Sequence, residues 1–398
     1  MSSTPSVGRR LAAEWRLVRR DRTLWAALVV LVACLLSASV SAVTWVRAQD
    51  AQVAEAAGAR PGQWAALPPA ALAALSIGRS DVHPTALRLS PGNPETRFAA
   101  RLENPRARAL GRFDIAFVII VLAPLMMVAV TSDVVTGDRD AGRLALAITA
   151  GGSVGALLAT RLLLRAGLLT MCAMAVPILT VLSQGDVTTR DAWLLALWML
   201  VVGVYLAFWA AVNAMANAWA ARAATGLMAL VTVWTALVVA APALLGLVAD
   251  AVHATPSRPA LVVAMWGAVS QDEAPPIYGG IRPEDDRLRA LVASFEDEVK
   301  RQEDMATRWR FVSPALVARD AFDAIAGTGL ARHRAFAAQV ERHLTGSQHA
   351  GAPAFKFSEP PVAATVGRVL VDLAALLAAG AVVVVATGFL ARRRTMIR

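Results

Sequence analysis

Few residues of this chain have the type and spacing needed for chemistry. Histidines are the first candidates, because imidazole is a common metal ligand. They are His83, His253, His333, His343 and His349. Their spacing fits no compact ligand motif, and neither cysteine lies near them in the sequence. We therefore interpret them as surface or interface histidines and predict no metal site; a role in metal handling is the weaker alternative.

One acid and two amides lie within apolar stretches. Asp372 is a candidate functional site, because an acid inside a membrane span is costly to place there. Arg368 precedes it by one helical turn and is the predicted ion-pair partner, which favours a structural pair. Asn213 and Asn217 are also one turn apart, and we expect them to hold neighbouring helices together rather than bind cargo.

The chain lacks a phosphate-binding loop. Such a loop places a lysine between glycine and Ser or Thr, because the lysine reaches the phosphates. Neither of the two lysines, Lys300 and Lys356, follows a glycine. No Ser-His-Asp set or carboxylate pair stands at a defined spacing. We therefore expect no catalytic residue, cofactor or nucleotide site in this chain.

The composition argues against an ordinary soluble enzyme, since 57% of the 398 residues are hydrophobic and the mean hydropathy is +0.54. The formal net charge is +10, but the arginines flank apolar stretches or lie in two long loops. No basic polar domain is present, so we predict no nucleic-acid partner. Cys34 and Cys172 lie within apolar stretches, where we expect small core residues and no disulfide framework.

Six apolar stretches are long enough to cross a bilayer, which takes roughly 20 residues. The predicted spans are residues 24–47, 113–133, 161–183, 192–213, 226–249 and 363–391. The predicted fold is an all-α polytopic membrane protein. Its two long loops, residues 48–112 and 250–362, would form a largely helical extracytoplasmic domain. Three prolines within spans are tolerated where neighbouring helices satisfy the freed backbone groups; they are Pro124, Pro177 and Pro242.

Arginine clusters before the first span and after the last set the orientation. By the positive-inside rule both termini are cytoplasmic, and six spans give the even number that this requires. Residues 134–160 and the tail 392–398 are then cytoplasmic as well. The predicted location is the inner membrane of a bacterium.

Residues 1–23 carry Leu11, Trp15 and Val18 at helical spacing between arginines, which predicts an amphipathic helix on the cytoplasmic membrane surface. A solvated basic tail is the alternative. A signal peptide cleaved near residues 37–42 is a second alternative. The long polar segment before the first span and the apolar residues after the small-residue cluster favour an uncleaved span.

The second long loop carries helix signals. Ser313 followed by Pro314 is typical of an N-cap and first turn, and Gly327 ends the helix that they begin. The charge of the loop is nearly balanced, which suits a soluble domain. The predicted helices are residues 283–310, 314–326 and 331–344.

After the second span the chain reads Asp138-Arg139-Asp140-Ala141-Gly142-Arg143-Leu144. This resembles the acidic-Arg-acidic-x-Gly-Thr-Leu motif found after the second span in ABC transporter permeases of the type-2 exporter family. Arg143 replaces the usual Thr, and the proline that commonly follows is absent. Leu144, Ala147 and Ile148 recur at helical spacing. A simple polar connector between spans is the alternative.

Two loop segments, residues 75–84 and 313–336, look like signatures of a branch of that family whose large extracytoplasmic domain has no settled function. The resemblance covers essentially the whole chain. It implies an ATPase-coupling region after the second span. The candidate coupling residues are Asp138, Arg139, Asp140, Gly142, Leu144 and Ile148.

The resemblance also implies partners. A second permease subunit, identical or paralogous, and separate ABC ATPase subunits that hold ATP and Mg would join this chain in the bilayer, and a periplasmic protein is a further candidate. ATP hydrolysis in the partner would drive export or conformational work on the extracytoplasmic side. The alternative function is a mechanical or docking module that acts on a periplasmic partner without moving cargo through the spans.

Overall fold

The computed structural model describes residues 7–59, 64–78, 80, 85–88, 113–144, 153–185, 187–253, 286–346 and 355–396. These described residues are about 82% helical and form no closed sheet. The helices in chain order are α1 (Val7–Val18), α2 (Arg22–Ala59), α3 (Ile115–Phe117, Val118–Leu122 and Ala123–Thr131), α4 (Thr136–Asp140), α5 (Val154–Leu182), α6 (Thr189–Trp219), α7 (Ala223–Trp234, Thr235–Ala240 and Ala241–Val252), α8 (Asp286–Trp309), α9 (Pro314–Ala326), α10 (Leu330–Gly346) and α11 (Val362–Met396).

Within the described residues, six helical stretches are long and apolar enough to cross a membrane. They are Arg22–Glu55, Ile115–Asp140, Val154–Leu182, Thr189–Trp219, Ala223–Val252 and Val362–Leu390. Each predicted span falls on one of them, in order. The chain is therefore a multi-pass membrane protein, and we call these stretches the first to the sixth span.

The bundle has two distinct ends. We call the end that carries residues 132–144 the motif end, and the end that carries α8, α9 and α10 the loop end. The core between them is centred on the fourth span, α6, which packs against α5, α9 and α11. Three large side chains of α6, Trp198, Tyr205 and Trp209, are fully buried.

The second span contains a π-helical turn, Val118–Leu122, directly before Pro124. Proline has no N–H, so Pro124 supplies no backbone hydrogen bond to this turn, in which the carbonyl of Ile120 lies. The hydroxyl of Tyr205 on the fourth span donates to that carbonyl at 2.8 Å. A neighbouring helix thus satisfies the freed backbone group, as membrane burial requires.

At the loop end, two features differ from the prediction. The first long loop contains a short antiparallel ribbon, in which Trp64–Ala66 pairs with Ala86–Arg88. In the second long loop, α9 is not part of a separate soluble domain: it packs against the fourth and sixth spans. Ala318 and Ala321 are fully buried there, because small residues let helices approach closely. Phe322 is also fully buried and packs against Trp198 of the fourth span.

The local helix signals of the second loop are confirmed. Ser313 accepts a hydrogen bond from the N–H of Ala315 and caps α9, which begins with Pro314. Gly327 ends α9 with a φ of 72°, a left-handed conformation that favours glycine. The helix predicted before it is α8 and the helix predicted after it is α10.

The N-terminal segment is helical, as predicted, and one face of it packs against the bundle. Val18 is buried, whereas Trp15 is 39% exposed. Glu14 is buried instead, because its carboxylate lies 3.1 Å from Arg161 of the third span. An ion pair with the bundle, which the apolar spacing did not reveal, therefore decides which face of α1 turns inward.

Candidate functional site

A turn, residues 132–135, leads into the predicted coupling region, residues 134–160, and the fourth span holds this turn in place. Asn217 donates to the carbonyl of Thr131 at 2.9 Å and accepts from the N–H of Val135 at 3.1 Å. The hydroxyl of Thr131 also donates to the amide oxygen of Asn213 at 2.9 Å. Both asparagines are buried. The prediction that this pair joins helices is confirmed.

Asp138 faces the protein. Its carboxylate lies 2.6 Å from Arg161 of the third span and 2.8 Å from Arg143. The same Arg161 guanidinium donates to the carbonyl of Val134 at 2.6 Å and to Glu14 of α1 at 3.1 Å. Arg161 thus joins α1, the third span and the motif.

The next two motif residues bind the connection between the fourth and fifth spans. Arg139 donates to the carbonyl of Ala220 at 2.5 Å. Asp140 accepts a hydrogen bond from the N–H of Ala223 at 2.9 Å, which satisfies one of the free N–H groups at the N-terminus of α7. The motif is therefore fastened to both neighbouring spans by different side chains.

A second arginine connects the first three spans. Arg165 lies 2.9 Å from Asp21 and donates to the carbonyl of Val130, at the end of the second span, at 2.5 Å. Asp21 in turn accepts from the N–H of Leu24 at 3.1 Å and caps the first span. Sequence reasoning missed Arg161 and Arg165, whose position inside an apolar helix was the available signal.

The exposed part of the motif is short. Residues 140–143 are exposed, and Gly142 has a φ of 71°. Leu144 is buried with Val134 and Val135. Of the predicted coupling residues, Asp138, Arg139, Asp140 and Leu144 thus contact the protein itself. Asp140 and Gly142 are exposed, and Ile148 lies outside the described residues.

At the loop end, Asp372 has a different partner from the one predicted. Its carboxylate lies 2.8 Å from Arg310, whereas Arg368 bonds to Asp320 of α9 at 3.0 Å. The prediction of an ion pair between Arg368 and Asp372 was wrong, because α9 lies beside α11 and its Asp320 binds Arg368. Asp372 still belongs to a structural ion pair, but its partner is Arg310.

The two loop segments that carried the resemblance meet in the structure. The Ser76 hydroxyl donates to the carboxylate of Asp323 at 2.5 Å, across 247 positions of sequence. Asp114, at the start of the second span, accepts from the N–H of Ile77 at 2.9 Å. Arg332 of α10 donates to the carbonyl of Pro68 at 2.8 Å. The first and second loops therefore form one polar interface beside the start of the second span.

An open cavity of about 280 Å³ lies between α8, α10 and α11. Three arginines line it, and each has an acidic partner: Arg310 and Arg368 as above, and Arg334 with Glu303 and Asp304. Burial lowers the pKa of Arg334, but its bonds to the two acids outweigh burial and hold that pKa above its usual value. The positive charges of the arginines that line the cavity are therefore balanced by neighbouring carboxylates.

The histidines that fall among the described residues have protein partners. His253 bonds to Glu298 at 2.9 Å, His333 lies 3.1 Å from the carbonyl of Gly329, and His343 packs edge-on against Phe355. His83 and His349 lie outside the described residues. In the part of the chain that the structure describes, no group of three His, Cys, Asp or Glu is arranged to hold a metal ion.

Comparison with known proteins identifies one domain. Residues 264–365 match a family described as a domain of unknown function, DUF3526. The match covers about a quarter of the chain and includes α8, α9 and α10. Among curated proteins, nothing matches this chain.

Proposed function

We propose that this chain is the membrane-spanning permease subunit of an ABC transporter complex and that residues 138–148 contact its ATPase. The observation that carries the proposal is the way the motif is fastened. Asp138 is tied to the third span through Arg161 and Asp140 to the fifth span through Ala223. A force on the exposed residues 140–143 therefore reaches two spans and α1 without passing through a flexible connector.

Because this chain has no phosphate-binding loop, we assign ATP binding and hydrolysis to a separate subunit. The partner subunit binds ATP and Mg and hydrolyses the nucleotide, and this chain converts the partner's closure into movement of its spans. The ion pairs at the motif end suit that role, because Arg161 joins the motif directly to the third span and to α1. A second permease subunit completes the complex.

The alternative, a mechanical or docking module acting on a periplasmic partner, draws on the loop end. Arg310 ties the junction of α8 and α9 to Asp372 of the sixth span, and Ser76 ties the first loop to Asp323 of α9. Movement of the sixth span would therefore reach both loops. In this version the work is done on the loop side, and no cargo crosses the spans.

The test of both versions starts from the full chain, affinity-purified in mild detergent from membranes of its own source. The proposal expects co-purification of a subunit with a phosphate-binding loop and ATPase activity in the complex. Purification without any such subunit, under conditions that keep the helices folded, contradicts it. Reconstitution into vesicles then separates the versions: ATP-dependent cargo movement in the absence of any periplasmic protein excludes the alternative.

We place the protein in a bacterial inner membrane with both termini and the motif end in the cytoplasm, and with the extracytoplasmic domain at the loop end. A cysteine-free background, C34A/C172A, allows this orientation to be tested with single cysteines at the exposed positions Ala141 and Ala337. A membrane-impermeant maleimide added to intact cells with a permeabilised outer membrane should label A337C and spare A141C. The reverse pattern contradicts the orientation.

A further inference from the structure

Ser313 is bonded to the interior of the fifth span. In α7 a π-helical turn, Thr235–Ala240, precedes Pro242. Its hydrogen bonds run five residues back, so Pro242, which has no N–H, leaves the carbonyl of Leu237 without that donor. The hydroxyl of Ser313 donates to the Leu237 carbonyl. Ser313 itself is fully buried.

The position of Leu237 fixes a depth in the bilayer. The fifth span, Ala223–Val252, has 30 residues, and about 20 residues at 1.5 Å each cover roughly 30 Å of hydrocarbon. Leu237 lies 14 residues after the first of these residues and 15 before the last. Every stretch of about 20 residues within α7 therefore contains Leu237, with about 6 Å or more to the nearer boundary.

The residues just before Ser313 present an exposed apolar edge at this depth. Trp309 is 51% exposed, Phe311 47% and Val312 57%. Val312 is adjacent to Ser313, and consecutive Cα atoms are only about 3.8 Å apart. Among the residues of the second loop whose side-chain exposure the structure describes, these three are the large apolar ones that are exposed.

The polar groups of this segment face the protein. Arg310 lies between the exposed residues in sequence, yet its side chain is only 12% exposed, because it bonds to Asp372 and stacks over the ring of Phe311 at 4.3 Å. Ser313 caps α9, whose first turn is buried against the spans. Irregular backbone at membrane depth is tolerated where protein covers it in this way.

We infer that residues 309–326 form a re-entrant segment, and that Trp309, Phe311 and Val312 contact the acyl chains of lipid in the leaflet on the loop side. Contact of these three large apolar side chains with water would be unfavourable, and they lie beside a fully buried serine. Tryptophan at the rim of such an edge is typical of the membrane interface. The inference depends on the membrane spans and not on the proposed transporter function.

The test uses the full chain reconstituted in lipid vesicles, with nitroxide spin labels on single cysteines in the C34A/C172A background. V312C and F311C report the re-entrant edge. V382C, on the exposed face of the sixth span, and A337C, on the exposed face of α10, are the matched lipid and water references. Collision rates are measured with oxygen, which partitions into hydrocarbon, and with a nickel chelate, which stays in water.

We expect the oxygen-to-nickel collision ratio at positions 311 and 312 to be similar to the ratio at position 382. It should be several-fold higher than the ratio at position 337. A ratio like that of position 337 shows a water-exposed loop and overturns the inference. Labels that neither reagent reaches show that another protein surface covers the edge, which overturns the lipid assignment as well. Agreement between the two positions guards against a local effect of one label.

Discussion

The guanidinium of Arg310 lies 2.8 Å from the carboxylate of Asp372, an acid that is fully buried in the sixth span. Removing one partner of a buried ion pair leaves an uncompensated charge, which costs about 3–5 kcal/mol. We therefore expect Arg310→Ala to lower the free energy of unfolding by roughly that amount, because Asp372 keeps its burial but loses its partner. The measurement is unfolding of the full chain in detergent, followed by circular dichroism.

Arg319→Ala is the matched control. Its side chain is 39% exposed and lies 3.9 Å from Asp323, so we expect a change of at most about 1 kcal/mol. Adding Asp372→Asn to Arg310→Ala should recover part of the lost stability, since it removes the orphaned charge. Equal effects of Arg310→Ala and Arg319→Ala would contradict this assignment.

Gly78 lies where the two loops meet, with a φ of 53° and a Cβ position only 2.6 Å from the Thr328 hydroxyl. Gly78→Ala should therefore destabilise the interface by about 1–2 kcal/mol from backbone strain alone, with the clash in addition. Gly167→Ala in the third span is the control, because nothing lies within 4 Å of its Cβ position. We expect that change to be neutral or slightly stabilising. Limited proteolysis of the loops reads out both variants, and equal cleavage rates would count against the strained turn.

Asn217 holds the turn that leads into the motif. Asn217→Ala removes the acceptor of the Val135 N–H, and interhelical hydrogen bonds in membranes are worth about 0.6–2 kcal/mol. We expect faster hydrogen exchange at Val135 and its neighbours, measured by mass spectrometry. Gln184→Ala, an exposed amide at the other end of the third span, should leave that exchange unchanged. If the N–H of Val135 stays protected from exchange in Asn217→Ala, Asn217 does not hold the turn.

Arg161 and Arg143 both contact Asp138, but they differ in exposure. The Arg161 side chain is 16% exposed and the Arg143 side chain 66%. Arg161→Ala should lower stability by about 1–3 kcal/mol and release α1 from the bundle, since Glu14 loses its partner. Arg143→Ala should change stability by less than about 1 kcal/mol. Protease sensitivity of residues 7–18 distinguishes them, and matching profiles would show that Arg161 does not hold α1.

Much of the fold follows from local sequence signals. Apolar length predicts the six spans, and Ser313, Pro314 and Gly327 predict the limits of α9, because capping depends on neighbours within one turn. The interpretation of Asn213 and Asn217 as helix contacts is also confirmed, since buried amides in membrane helices need partners. These signals do not depend on how distant segments pack.

The rest depends on contacts between residues far apart in the chain. The partner of Asp372 is Arg310, 62 positions away, and not Arg368 one turn before it, because α9 brings its own acid, Asp320, to Arg368. The apolar face of α9 suits the core of a soluble domain as well as a place among the spans. The pattern of one sequence does not distinguish these two packing partners.

The proposed function requires the exposed residues 140–143 to contact an ATP-binding subunit. A photo-crosslinking amino acid at Ala141, compared with the same group at Ala337, tests it in membranes of the native source. We expect an adduct at position 141 with a subunit that contains a phosphate-binding loop, and no such adduct at position 337. A folded complex that contains the ATP-binding subunit but forms no adduct with it at position 141 would contradict the claim.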